Sequence, residues 1–340
     1  MDSVTHVCFG IGLAALAHWD PTLATSPAAF QSIAIATVAG SVIPDCDTIF
    51  RLGGNANFLR QHRGITHSLP FLLVWAFGIA GAVSLIPNAA NFIILFIWTS
   101  IALILHVLTD VLNPYGTQVF IPFSKKRYAW NVLPTFDPFI FTIHLIGIIG
   151  WVQSIAPVHV IASISYVMIG VYIGWRFLKQ RNVIRNLPHI DKNYARADHY
   201  WALPTANPFR FEIGKRTSKH TFHTGTLSYH NITWLHQWVS DKHPAILNST
   251  THDTVKALIE FSNDQVVHVY DHDWGTEVRW FDVRYTYRKN FPLVASVMMD
   301  RNLQPISGNV GWMNERQLHK KHNRTHLLRI KKQKQDHSIR

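Results

Sequence analysis

Two ionisable residues interrupt an otherwise apolar stretch, ILFIWTSIALILHVLTD, at positions 94–110. His106 and Asp110 are four positions apart, so a helix places them on one face. An imidazole and a carboxylate are costly to bury in hydrocarbon unless they find a partner. The pair therefore predicts either a hydrogen-bonded helix end or part of a binding site for a cation.

The same residue types recur where other apolar segments begin or end. Asp2 and His6 repeat the four-residue spacing, and His62 and His67 lie in the loop QHRGITHS. Imidazole and carboxylate groups bind divalent transition metals such as zinc, with manganese as the alternative, and no soft thiolate is needed. The predicted metal ligands are Asp2, His6, Asp45, His62, His67, His106, Asp110 and Asp137.

These candidates, with Asp47 beside them, exceed the four ligands of one zinc ion, so we expect two or three ions with bridging carboxylates. Each motif also has a simpler interpretation. The histidine–aspartate pairs can be hydrogen-bonded pairs, an aspartate of PDCD can cap a helix, and QHRGITHS can contact lipid phosphates. The convergence of four separate segments favours the metal site.

Six apolar segments must position these residues, at 4–18, 28–43, 67–87, 91–112, 138–155 and 158–178. About 20 apolar residues cross a bilayer, and the first two segments are short, so these two could be spans, re-entrant helices or interfacial helices. The predicted fold class is an all-α multi-pass membrane helical bundle with four to six spans, followed by a small β-rich soluble domain.

Lys and Arg in the connections predict the orientation. They occur in 44–66, in 113–137 and after 175, and they are absent from 19–27, 88–90 and 156–157. Basic loops stay on the cytoplasmic side. We therefore expect a multi-pass protein of the bacterial cell membrane, with the metal site and the C-terminal domain on the cytoplasmic side.

The net charge of +12 lies entirely after residue 175, because residues 1–175 hold six Lys or Arg and six Asp or Glu. We predict a membrane-embedded domain at 1–180, a cytoplasmic β-rich domain at 185–318 with a turn at DHDWGTE, and a basic disordered tail at 319–340. Cys8 and Cys46 form no CxxC pattern, which fits a reducing compartment.

The motifs MDxxTH, PDxD, HRGxTHS, HxxxDxxNxxGT and TFDP, within residues 1–178, resemble the LexA-binding, inner-membrane-associated metal-dependent hydrolases of the YdjM type. The resemblance implies a membrane-embedded helical bundle and a metal-dependent hydrolase. It supports metal ligation by His6, Asp45, His62, His67, His106, Asp110 and Asp137. A weaker similarity to the zinc phospholipase C superfamily suggests phosphoester hydrolysis. The later β-rich part resembles an extension of Gram-positive members.

The predicted reaction is hydrolysis of a phosphoester or ester of a membrane-proximal substrate by a metal-activated water. The predicted general base is Asp47 or, as the alternative, Asp2, and Arg63, with Arg60 beside it, is predicted to hold an anionic group of the substrate. The arginines could equally anchor their loop to the lipid leaflet. Expected partners are membrane lipid and a lipid-derived or phosphorylated substrate.

The alternative function is that of a membrane-tethered regulatory protein, which binds a protein partner such as a transcription regulator and carries a structural metal site. Direct binding to nucleic acid is not expected, because no helix-turn-helix or zinc finger is evident and a basic tail is commonly solvated or faces lipid. A transporter is disfavoured, because its ionisable groups would lie at mid-bilayer depth rather than at one face.

Overall fold

The computed structural model describes residues 1–285, 293–314, 316–318 and 320 of the 340-residue chain. Apart from Lys320, the predicted tail lies outside these residues. The first part of the chain is helical, and every apolar segment named above forms a helix. The helices are α1 (Ser3–Ala17), α2 (Pro21–Ala24), α3 (Pro27–Val42), α4 (Asn55–Gln61), α5 (Leu69–Ser84), α6 (Phe92–Val111), α7 (Pro138–Val152) and α8 (Val158–Ile190).

Three helical segments are long and apolar enough to cross a membrane, namely Pro27–Gly53, Phe92–Val111 and Val158–Ile190. A fourth span results if Asn55–His67 and Leu69–Ser84, which meet at an angle of 66°, cross together. Helices α1 and α7 are apolar but have only 15 residues each. The predicted helical membrane part is confirmed.

Short polar side chains start the helices. Asp2, Ser26, Asn91 and Asp137 each accept a hydrogen bond from a backbone N–H in the first turn of the helix that follows. These bonds satisfy donors that a helix start leaves unpaired. They fix where α1 and α7 begin, next to the end of α6.

Small residues let α1, α3 and α6 approach closely. A Cβ atom added to Gly10 would lie 2.7 Å from Cα of Val38, and one on Gly40 would lie 3.1 Å from the carbonyl oxygen of Thr99. Real Cβ atoms essentially never show the first separation and rarely show the second, so a side chain at either glycine would need its neighbours to shift. This close packing brings the last turns of α6 against the end of α3.

Two loops cover this end of the bundle. The first contains the 3-10 segment Ile43–Gly53, α4, and the 3-10 turn Ile65–His67. The second follows α6, and the backbone N–H of Gln118 donates to the carbonyl of Arg63 at 2.9 Å. A backbone bond of 3.0 Å from Leu69 N to Val119 O ties the second loop to the start of α5. The ionisable residues of both loops therefore lie together.

The C-terminal part forms two four-stranded antiparallel sheets, which confirms the predicted β-rich domain. Within each sheet the strands follow chain order. The hairpin at the predicted DHDWGTE turn pairs His272 with Gly275. The elements are β1 (His199–Pro204), β2 (Arg210–Ser218), β3 (Thr221–Ser228), β4 (Asn231–Val239), α9 (Pro244–Ser249), α10 (Asp253–Phe261), β5 (Gln265–His272), β6 (Gly275–Asp282), β7 (Leu293–Met299) and β8 (Pro305–Trp312).

Asp191, at the end of α8, joins the bundle to the first sheet. Its carboxylate accepts hydrogen bonds from Lys215 Nζ at 2.7 Å, Tyr200 Oη at 2.8 Å and Trp234 Nε1 at 3.2 Å. Burial alone would raise the pKa of Asp191, but these bonds, above all that from Lys215, hold the pKa below its usual value.

Helix α4 joins the bundle to the second sheet. Leu59 is 1% exposed and lies in the same hydrophobic core as Leu258 of α10 and Val297 of β7. Next to it, Arg60 makes ion pairs of 2.7 Å with Asp253 and with Glu260, both on α10. The core of the C-terminal domain therefore includes a side chain from the membrane part.

A second contact between the two parts is aromatic. The ring of Tyr115, in the loop after α6, lies 5.0 Å from that of Tyr285 and 5.7 Å from that of Trp312 between centroids. The Tyr285 hydroxyl donates to the carbonyl of Pro114 at 3.0 Å. The second sheet thus packs directly against the loops that carry the ionisable residues.

Candidate metal centre

Four side chains converge where α6 ends. Asp45 comes from the 3-10 segment after α3, His67 from the turn before α5, and His106 and Asp110 from the last two turns of α6. Each offers one ligand atom, and these atoms lie within 4.8 Å of one another. In the described part of the chain this is the one group of three or more His, Cys, Asp or Glu side chains that could hold a metal ion. Only Asp45 has an exposed side chain, at 20%.

The separations among the four donors match those around a single ion. His67 Nε2 and His106 Nε2 are 3.2 Å apart, and they lie 3.5 and 3.8 Å from Asp45 Oδ1 and 3.4 and 3.6 Å from Asp110 Oδ2. Ligand atoms about 2.1 Å from an ion at tetrahedral angles are about 3.4 Å apart. The residues therefore fit a divalent metal.

The contacts of the histidine rings direct their lone pairs toward the same space. His106 Nδ1 lies 2.7 Å from the carbonyl oxygen of Ser41, which only accepts, so in the neutral ring Nε2 is unprotonated. His67 Nδ1 lies 2.9 Å from Thr66 Oγ1 and 3.6 Å from Asp47 Oδ2. A proton on that atom likewise leaves its Nε2 as an acceptor. Two acceptors 3.2 Å apart repel each other unless a cation lies between them.

Asp110 presents its two oxygen atoms to different partners. Oδ1 accepts from Arg63 Nη2 at 2.9 Å and contacts the Met1 amino group. Oδ2 faces the four-donor group and has no hydrogen-bond partner among the described residues. His6 lies on the Oδ1 side, 3.4 Å from that atom, and its ring stacks on that of His106 with centroids 3.9 Å apart. The structure places His6 beside the four-donor group rather than within it.

Asp47 and His62 form a second layer. Asp47 is fully buried, and it accepts a bond of 2.7 Å from the backbone N–H of Arg63 and lies 3.1 Å from His62 Nδ1. His62 therefore contacts Asp47, which in turn lies near His67, rather than the four-donor group itself. The same carboxylate is near His67, so it can orient that imidazole as well as act on a substrate.

Asp2 and Asp137 are not part of the four-donor group. Asp2 accepts hydrogen bonds from the backbone and the hydroxyl of Thr5. Asp137 caps α7 and accepts a bond of 2.9 Å from the Tyr172 hydroxyl. Metal ligation by these two residues stays a prediction, and their observed contacts are those of helix caps.

Arg63 is the cationic residue at the site. Its side chain is 4% exposed, and its Nε and Nη1 atoms have no hydrogen-bond partner within the described residues. Its backbone is in the left-handed region, at φ 54°, which is uncommon for a residue other than glycine. Arg60, considered with it from the sequence, is instead paired with Asp253 and Glu260 on α10.

Ser41 and Tyr115 are among the contributors to the site that were not identified from the sequence. Ser41 acts through its main-chain carbonyl, which every residue possesses, so its identity carries no signal. Tyr115 lies with its ring 6.0 Å from the Arg63 guanidinium. The asparagine and glycine that follow in HVLTDVLNPYGT mark a loop there, but they do not reveal which aromatic ring faces the arginine.

Comparisons with known proteins show which families the two parts of the chain resemble. The family described as YdjM inner membrane protein matches residues 1–183, which include all four donors. The chain belongs to the YdjM inner membrane protein family. A second family, the YfhP C-terminal alpha/beta plait domain, matches residues 244–322, which contain α9, α10 and the second sheet.

A curated relative covers nearly the whole chain. The uncharacterized protein YfhP of Bacillus subtilis (strain 168) is 34% identical over 327 residues, which are 94% of this chain and 98% of the relative. No solved structure matches the chain. This YdjM family member therefore combines an inner-membrane helical part with a YfhP-type C-terminal domain, and its candidate metal centre lies in the YdjM part.

Proposed function

We propose that this YdjM family member is an integral membrane hydrolase that depends on a divalent metal and cleaves a phosphoester or ester of a membrane-proximal substrate. The observation that carries the proposal is the position of Arg63. Its guanidinium is buried beside the four-donor group and keeps two nitrogen atoms without partners among the described residues. A metal site that only holds helices together does not need a cationic group with free donors, whereas binding of an anionic substrate does.

The side chains divide the work as follows. His67, His106, Asp45 and Asp110 hold the ion, which when bound supplies an activated water and polarises the substrate oxygen. Arg63 binds the anionic group of the substrate and donates a hydrogen bond to Asp110. Asp47 either takes the proton from the attacking water or fixes the orientation of His67, and substitution by asparagine distinguishes the two roles.

The four donors suit one ion, zinc or manganese, in a site that Asp45 opens toward solvent. The sequence favoured two or three ions, so metal analysis decides the number. Positive charge in the loops supports a cytoplasmic position for the site and for the C-terminal domain. Membrane lipid, or a phosphorylated compound derived from it, is the substrate class that this position favours.

One observation favours the alternative, a regulatory protein with a structural metal. His67, His106 and Asp110 are nearly inaccessible, with exposures of 0–1%. Structural zinc sites fill every coordination position with protein ligands, whereas catalytic sites keep one open. A partner would then recognise the cytoplasmic surface, and the metal would only stabilise the fold.

The deciding experiment is a hydrolysis screen of the full chain in detergent, with zinc or manganese added. The panel contains phosphomonoesters, phosphodiesters and acyl esters. We expect turnover of at least one phosphoester, its loss on chelation, and a fall in kcat/KM for Arg63→Gln, with less loss for Arg63→Lys. Protein that is metallated and folded but inert across the panel would support the regulatory alternative.

A further inference from the structure

A pocket lies at the junction between the membrane part and the C-terminal domain, and none of the four donors lines it. It has a volume of about 290 Å³ and is enclosed by α4, by the loop after α6 and by α10. Its polar lining comes from Arg60, Gln61, Gln118, Lys125, Arg127 and Glu260. The pocket therefore combines an apolar floor with an excess of cationic and amide groups.

Arg127 brings a positive charge without an acidic partner. Its guanidinium donates to the carbonyl of His62 at 3.0 Å and to that of Gly116 at 3.2 Å, and it lies 5.0 Å from the ring centroid of Phe261. Among the described residues it makes no ion pair. Burial and the neighbouring Arg63 lower the pKa of Arg127 to about 10, so the group stays charged at neutral pH.

Lys125 adds a second charge at the rim. Its side chain is exposed, and no ion pair involves it within the described residues. Arg60, by contrast, is already compensated by Asp253 and Glu260. Lys125 and Arg127 are therefore the charges available to an anion that enters the pocket.

The same loop also carries exposed apolar side chains. Phe123 is 87% exposed and Phe120 is 43% exposed. The loop is bonded to the first residue of α5, whose Leu69 and Leu73 are also exposed. Aromatic residues beside lysines are typical of the interface between hydrocarbon and headgroups.

We propose that the junction pocket binds the phosphate group of an anionic membrane phospholipid. Lys125 and Arg127 provide the charge, and Phe120 and Phe123 enter the leaflet next to the acyl chains. Because α4, the loop after α6 and α10 all line the pocket, the bound lipid contacts both the bundle and the C-terminal domain. None of the four donors lines this pocket, so its test does not depend on hydrolysis.

The test uses the full chain in a neutral detergent, titrated with short-chain phosphatidylglycerol, short-chain phosphatidylcholine or inorganic phosphate, with thermal unfolding as the readout. We expect stabilisation by phosphatidylglycerol and little by the other two. Lys125→Gln should weaken apparent binding on the order of fivefold. Arg127→Gln should weaken it further, and Lys125→Gln covers the case in which Arg127→Gln fails to fold.

Lys126→Gln is the matched control. It removes the same charge one position away, and Lys126 does not line the pocket. It should bind phosphatidylglycerol like the unchanged protein. An equal loss in Lys125→Gln and Lys126→Gln would mean general attraction to surface charge and would overturn the pocket. Equal stabilisation by inorganic phosphate, or by phosphatidylcholine, would overturn the assignment to an anionic lipid.

Discussion

The Nε2 atoms of His67 and His106 lie 3.2 Å apart, although 39 positions separate the two residues in the chain. The other nitrogen of each ring already lies next to an oxygen atom, Ser41 O for His106 and Thr66 Oγ1 for His67. Both rings therefore present Nε2 toward Asp45 and Asp110, and the contact of His106 with Ser41 leaves its Nε2 unprotonated in the neutral ring. This arrangement leads directly to the first prediction.

The purified chain should contain about one divalent transition metal ion per molecule. His106→Ala and Asp110→Ala should each lower the occupancy, since each removes one of four ligands. Elemental analysis after dialysis measures it, with His159→Ala as a histidine control outside the site. Two or three ions per chain would show that residues beyond the four donors also bind metal. Full occupancy in the double variant would refute the site.

Asp47→Asn separates a general base from a positioning residue. Loss of a base should lower kcat by about 10²–10⁴ while the metal content stays unchanged. Loss of an orienting carboxylate should instead weaken metal affinity by about 10–100-fold. Metal titration of the variant gives its metal affinity. Its rate at saturating metal, on a substrate from the screen, gives kcat. A variant that matches the unchanged protein in both would exclude either role.

Apolar packing, rather than the arginine ion pairs, should hold the C-terminal domain to α4. Leu59→Ala should cost about 2–5 kcal/mol of unfolding free energy, because it leaves a cavity in a buried core. Arg60→Gln should cost at most about 1 kcal/mol, since its partners are more than half exposed. Denaturant unfolding followed by tryptophan fluorescence compares them, with the exposed Leu247→Ala as control. A larger effect of Arg60→Gln would reverse this ranking.

The Asp191 network should make the C-terminal part sensitive to acid. Its folded-state pKa is depressed, so its contribution is complete above the unfolded pKa of about 3.9 and is lost as pH falls through the folded value. At pH 7, Asp191→Asn should cost about 1–3 kcal/mol, because it removes the closest partner of the buried Lys215, which keeps Asp198 at 3.6 Å. This difference should shrink below pH 4, while the exposed Asp273→Asn changes little at any pH. A difference that persists at low pH would contradict the linkage.

The predicted orientation can be tested by single cysteines in a background without Cys8 and Cys46. A reagent that does not cross membranes should label Asn88→Cys in intact cells and should label Lys126→Cys only after the cells are opened. Both positions are exposed in the structure. Labelling of Lys126→Cys from outside would place the metal centre on the other side of the membrane.

The sequence predicted the helices well because hydrocarbon permits few alternatives. An apolar run such as 92–111 must form a helix in a membrane whatever its neighbours are, because its backbone groups find hydrogen-bond partners only within the segment. The four donors were all among the predicted ligands, because imidazole and carboxylate are conspicuous in apolar surroundings. Periodicity cannot distinguish ligands from caps, however. Asp2 and Asp137 have the same residue type as Asp110, and only their contacts, with Thr5 and Tyr172, show them at helix starts.

The C-terminal domain was harder to predict in detail. Alternation of apolar and polar residues indicated strands, and the turn before Gly275 was found. Helices α9 and α10 have only six and nine residues, too few for a clear helical period. The contact of Leu59 with this domain had no local signal at all, since it depends on two segments about 200 positions apart.

The place of Leu59 bears on how this protein is made and how it can be dissected. The core around Leu258 and Val297 is completed by a side chain that is synthesised long before the domain it belongs to. During synthesis, helix α4 is therefore made long before the residues that cover Leu59. A fragment cut between the YdjM part and the YfhP-type domain, where a boundary looks natural, would leave each piece with an exposed apolar face. A fragment designed to contain the C-terminal domain should therefore include α4.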